Sequence, residues 1–124
     1  MAKILIVDDD QDLLDITSEI LEAKGYDVLT ADNVEDGEKT IKENNPDLIL
    51  LDIMMKSPDD GIALLHKLRK EKLKTPIIML SGVSKVTGYE FGQCDEALAC
   101  DDFLEKPVSP KALISKIENM LKDK

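Results

Sequence analysis

The sequence predicts the α/β class, a parallel sheet covered by helices, and three observations support it. Short runs rich in Val, Ile and Leu alternate five times with longer stretches of helical period, the pattern left by strands joined through crossover helices. Three of the runs, KILIV, DLILL and PIIML, are apolar at almost every position, as a strand buried on both faces must be. With 124 residues, 43% of them apolar, the chain can bury one core without metal or disulfide staples, so a single domain over residues 1–124 is expected.

The first strand is read at Lys3–Val7. In the helix after it Leu13, Ile16, Ile20 and Leu21 fall on one stripe, Asp12, Asp15, Glu19 and Glu22 face water, and Gly25 stops it. The second strand, Tyr26–Thr30, is interrupted by polar residues and belongs nearer a sheet edge. The second helix runs from an Asn33 cap to Asn44-Asn45-Pro46, where proline forbids continuation. The third strand, Asp47–Leu51, is central, and the next helix starts near Asp60-Gly61 and carries Ile62, Leu65 and Leu68 inward. The fourth strand, Pro76–Leu80, is also central. Beyond it Gly82, Gly88 and Gly92 interrupt any early helix, which leaves helical character only around Gln93 to Leu98. A short fifth strand, Asp102–Leu104, lies nearer the other edge. The last helix opens with Ser109 as cap and Pro110 at its first position, and Leu113, Ile117, Met120 and Leu121 form its stripe.

Charge narrows the function classes. With 16 Lys+Arg against 26 Asp+Glu the net charge is −10, which repels phosphate backbones and anionic lipid, so direct nucleic-acid or membrane-surface binding is not expected and partners should be proteins or cations. No apolar run is long enough to cross a bilayer and the amino terminus has no secretory pattern, so the cytoplasm is the expected location. Cys94 and Cys100 fit neither a CxxC redox pair nor a zinc site and are read as reduced and structural.

Ligands of an open parallel sheet bind beyond the carboxyl ends of its strands, at the point where strand order reverses. Here the first strand ends in Asp8-Asp9-Asp10, the third in Asp52, the fourth in Ser81-Gly82 and the fifth, after Glu105, in Lys106-Pro107. Asp8, Asp9 and Asp52 ionised together, against Lys106, leave a surplus of about two negative charges that raised pKa values or a cation must relieve. Carboxylates without a nearby histidine or thiol favour a hard ion, and Mg²⁺ fits best because it also accepts phosphate oxygens. A carboxylate beside such an ion, with a lysine and a hydroxyl at hand, is equipped to accept a phosphoryl group.

IVDDD, PDLILLDIMM, Ser81 after the fourth strand and DDFLEKP together resemble the receiver domain of bacterial two-component response regulators, over about Lys3 to Leu121. The resemblance implies a doubly wound, flavodoxin-like fold in three α/β/α layers with five strands ordered 2-1-3-4-5. It implies that Asp52 accepts the phosphoryl group from the phosphohistidine of a sensor histidine kinase or phosphotransfer protein. Asp8, Asp9 and Asp52 would hold Mg²⁺ with the backbone carbonyl of Met54. Lys106, before what resembles the family's cis peptide at Pro107, and Ser81 would each take a phosphoryl oxygen, and Phe103 would turn as Ser81 moves. Phosphorylation replaces one negative charge with about two, which would bias the surface of the fourth and fifth strands between two packings and so address a downstream protein target. The role implied is a signalling switch and not an enzyme, with at most weak self-phosphorylation and self-dephosphorylation. Dimerisation on phosphorylation stays open.

The chain also departs from the family pattern. Lys56-Ser57-Pro58 stands where proline usually follows the two methionines, the span from Ser81 to Lys106 is long, and Ala99-Cys100 replaces the usual Gly-Ala, so the output surface is the least transferable part of the resemblance. Taken singly the residues are less telling: Asp10 reads as a helix cap or rim residue, Lys106 as a solvated turn residue, and His66 as exposed or partly packed. Two other readings stay open at this point. One is a pseudo-receiver that binds partners without phosphorylation. The other, less favoured, is a phosphohydrolase of the haloacid-dehalogenase type with Asp8 as nucleophile, Asp10, Ser81 and Lys106 beside it, and no segment to close over a substrate.

Overall fold

The structure, a computed structural model, describes residues 2–52, 60–81, 102–105 and 109–122. The element order is β1 (Lys3–Val7), α1 (Gln11–Ala23), β2 (Asp27–Ala31), α2 (Val34–Asn44), β3 (Leu48–Asp52), α3 (Asp60–Lys70), β4 (Ile77–Ser81), β5 (Asp102–Glu105) and α4 (Pro110–Lys122). All neighbouring strands pair in parallel, in the order β2-β1-β3-β4-β5. This is the expected flavodoxin-like arrangement. The three most apolar strands are interior and the two polar-interrupted ones lie at the edges, because an interior strand has helices on both faces and no side for a charge to reach water.

The pleat sorts each interior strand into two cores. Leu5, Val7, Ile49, Leu51, Ile77 and Met79 point to one face, where Ile41 of α2 and Leu64, Leu65 and Leu68 of α3 cover them. Ile4, Ile6, Leu48, Leu50, Ile78 and Leu80 point to the other, under Leu14 and Leu21 of α1 and Leu113, Ile114 and Ile117 of α4. Each fully buried Leu or Ile contributes about 1.5–3 kcal/mol, so the sheet interior dominates folding. Gly37 lets α2 come close to β1: a Cβ there would stand 3.0 Å from both Val7 methyl groups.

The helix punctuation follows the local chemistry. Asp10 caps α1 and Asn33 caps α2, accepting the Asp36 N–H at 2.8 Å, and Ser109 faces the Ala112 N–H across 3.4 Å. Gly25 takes φ 92° after α1, a left-handed turn that glycine adopts without strain, and Asn45 does the same at φ 48° after α2.

Two expectations are corrected. Ile16 does not join the buried stripe of α1: it is 59% exposed, and Leu14, Thr17 and Leu21 are the buried positions. At 100° per residue Ile16 sits roughly 130° from the centre of that stripe, which lies near Leu21. The second, third and fourth strands each begin and end one residue later than expected, and the fifth ends one later, because the hydrogen-bond ladder and not hydrophobicity sets their limits. Asp52 and Ser81 thereby become the last rungs of β3 and β4, opposite Leu80 and Glu105. The helical character expected around Gln93 to Leu98, with Cys94 and Cys100, lies outside the described residues.

Candidate functional site

The winding of the sheet reverses between β1 and β3, so the helices after these strands leave toward opposite faces and a crevice opens beyond their carboxyl ends. Val7 pairs with Leu51, which sets Asp8 beside Asp52. The Asp8 N–H donates to the Ala31 carbonyl at 3.0 Å, extending the β1–β2 ladder one rung into the site. Asp8 is 0% and Asp52 3% exposed, while Asp9 opens to solvent. One carboxylate oxygen from each of Asp8, Asp9 and Asp52 lies within 4.8 Å of the other two.

Like charges at that separation repel by a few kcal/mol per pair at an effective dielectric of about 20. The strand register, not attraction between the side chains, keeps them together. The donor set is three carboxylates and no sulfur or imidazole, which fits a small hard divalent cation such as Mg²⁺. Asp10 stands apart from the trio: its side chain accepts the Leu13 N–H at 3.2 Å, and its own N–H donates to Asp8 Oδ1 at 2.9 Å. Capping was legible in the sequence. The bond to Asp8 was not, since backbone donors carry no sequence signal.

Of the other expected site residues, Ser81 is placed by its backbone at the end of β4, one rung beyond Leu80, the partner of Asp52. Phe103 lies in β5 opposite Met79. Met54, Lys106 and Pro107 lie outside the described residues. His66 is exposed on α3 and is not one of the residues of the acid cluster. Sequence reasoning missed the ion pairs of Glu38, which meets Lys42 one turn along α2 and Lys67 of α3 at 3.0 Å each; hydrogen bonds from Lys42 and then Lys67 hold the Glu38 carboxyl below its ordinary value. Among the described residues no helix is long and apolar enough to cross a membrane.

Comparison with known proteins settles the family, since residues 4–118 match the response regulator receiver domain. The chain belongs to that family. Receiver domains are the phosphorylation-activated switches of two-component signalling and typically bind Mg²⁺, with histidine kinases or phosphotransfer proteins as partners. This receiver is 37% identical over 124 residues to the alkaline phosphatase synthesis transcriptional regulatory protein PhoP of Bacillus subtilis, covering 97% of this chain and 48% of that protein. It is 35% identical over 125 residues to the phosphate regulon transcriptional regulatory protein PhoB of Pseudomonas aeruginosa, covering 96% and 51%. The chain thus spans about half the length of the curated relatives it matches. Among solved structures it is similar to the receiver domain of the Francisella response regulator 1452, with TM-score 0.86, 32% identity and coverage of 99% of this chain and 98% of that one. A CheY-like receiver domain protein of Methanospirillum hungatei gives TM-score 0.83 at 32% identity over 99% and 95%.

Proposed function

We propose that Asp52 is the phosphoryl acceptor of this receiver domain. The observation that carries the reading is the convergence of Asp8, Asp9 and Asp52, with Asp52 on the last rung of β3 at the reversal of the sheet. A carboxylate oxygen of Asp52 attacks the phosphorus of a phosphohistidine; the P–O bond forms as the P–N bond breaks, and the leaving imidazole nitrogen takes up a proton. Asp8, Asp9 and Asp52, with the Met54 carbonyl by the family pattern, would hold Mg²⁺, which supplies positive charge against the phosphoryl oxygens.

Lys106 and Ser81 then take phosphoryl oxygens, and the movement of Ser81 lets Phe103 turn, so the surface of β4 and β5 changes its packing and addresses a downstream protein. The donor is a sensor histidine kinase or a phosphotransfer protein, in the cytoplasm. A net charge of −10 favours protein over nucleic acid as the direct contact of these residues. The chain keeps the phosphoryl group on its own side chain and is in this sense a switch and not an enzyme.

Intact mass after incubation with Mg²⁺ and acetyl phosphate tests the reading. A single phosphoryl adduct is expected on the wild type, absent from Asp52→Asn and absent without metal. An adduct that persists in Asp52→Asn, or maps to Asp8, overturns the assignment in favour of the phosphohydrolase. No adduct under any condition leaves the pseudo-receiver.

A further inference from the structure

Asp10 makes three hydrogen bonds that join the acid cluster to the first helix. Its side chain accepts the Leu13 N–H at 3.2 Å, its carbonyl accepts the Leu14 N–H at 3.0 Å, and its own N–H donates to Asp8 Oδ1 at 2.9 Å. Leu14 is itself buried in the core beneath α1, which anchors the first turn of the helix. The backbone at Asp10 is extended, φ −89° and ψ 103°, the conformation usual at a helix cap.

We infer that Asp10 is a positioning residue for Asp8: by capping α1 it holds its own amide where that amide orients the buried Asp8 carboxylate. The inference rests on the proposed reading of the site, in which Asp8 helps to hold Mg²⁺. Asp10 does not itself belong to the trio whose oxygens converge, so its effect is exerted through Asp8. Partners that orient a metal-holding carboxylate typically govern affinity by tenfold or more even without touching the ion.

Asn33 supplies a matched control. It caps α2 in the same way, its side chain accepting the Asp36 N–H at 2.8 Å and its carbonyl the Gly37 N–H at 3.0 Å, with no bond to the acid cluster.

The test compares Asp10→Ala, Asp10→Asn and Asn33→Ala by Mg²⁺ titration calorimetry and by thermal melting without metal. Asp10→Ala removes the cap and a charge, whereas Asp10→Asn removes only the charge and keeps a capping oxygen. Expected is an affinity loss of about tenfold for Asp10→Ala. Asp10→Asn should stay within about threefold of the wild type, because a single screened charge outside the cluster is worth no more. Asn33→Ala should lower the melting temperature comparably to Asp10→Ala with affinity unchanged. Equal affinity loss in Asp10→Ala and Asp10→Asn reduces the residue to a charge and overturns the inference, as does equal loss in Asn33→Ala. In metal-free protein, hydrogen exchange at the Asp10 amide should quicken in Asp10→Ala and not in Asp10→Asn. A wild type that takes up no Mg²⁺ overturns the reading of the site, and the amide exchange then still decides the clamp: equal exchange in the two variants refutes it.

Discussion

At the amino-terminal end of the sheet, charged residues complete the backbone. The Lys3 N–H donates to Asp47 Oδ2 at 2.8 Å, the Lys3 amine to the Asn44 carbonyl at 3.2 Å, and Arg69 Nη1 to the carbonyls of Leu73 and Thr75 at 2.9 and 3.0 Å. At the carboxyl end, Asp8, Asp9 and Asp52 bring oxygens of the same sign within 4.8 Å. One end answers the Asn44, Leu73 and Thr75 carbonyls with charged donors. The other holds carboxylates of one sign together by strand register, an arrangement that suits a bound cation.

The contrast breaks first at Asp8. Asp8→Asn keeps an oxygen for the Asp10 N–H and removes one charge, so Mg²⁺ affinity should fall by more than about tenfold while the metal-free melting temperature holds or rises. Melting curves with and without Mg²⁺ check this, because a ligand that binds only the folded chain raises the wild-type midpoint. An undiminished Mg²⁺ shift in Asp8→Asn would erase the difference between the two ends.

Arg69→Ala should do the reverse. Loss of two charge-assisted bonds to the Leu73 and Thr75 carbonyls should cost about 2 kcal/mol in urea unfolding, with the Mg²⁺ shift intact.

The smallest effect belongs to the ion pairs of Glu38, one within α2 and one reaching α3. Glu38 is 17% exposed and its partners Lys42 and Lys67 more than half, so Glu38→Gln should lower the melting temperature by only about 2 °C at neutral pH. Because the folded chain holds the Glu38 pKa below 4.5, this contribution is full above that pH and is lost as pH falls through the lowered value. Melting curves of wild type and Glu38→Gln should therefore converge in acid, and a difference that grows there would contradict the direction of the shift.

Much of the site was legible because parallel strands put function at their ends. Asp8 and Asp52 each follow an unbroken apolar run, and a charge there has few structural explanations. Ile16 and Thr17 show the limit of the same reasoning: hydrophobicity placed Ile16 inward, but the packing angle of α1 buries Thr17 and leaves Ile16 in water. The tie between Glu38 and Lys67 spans 29 residues and depends on how α2 and α3 pack side by side, which periodicity does not encode.

From the order of its residues alone this chain determines its alternating strands and helices, the interior place of β1, β3 and β4, and which carboxylates face the crevice, because apolar patterning and period follow from side-chain chemistry. Tertiary structure alone decided that Asp8, Asp9 and Asp52 meet within 4.8 Å and that the amide of Asp10 orients one of them. Those distances are set by strand register and helix docking, which are properties of the packed chain and not of any residue within it.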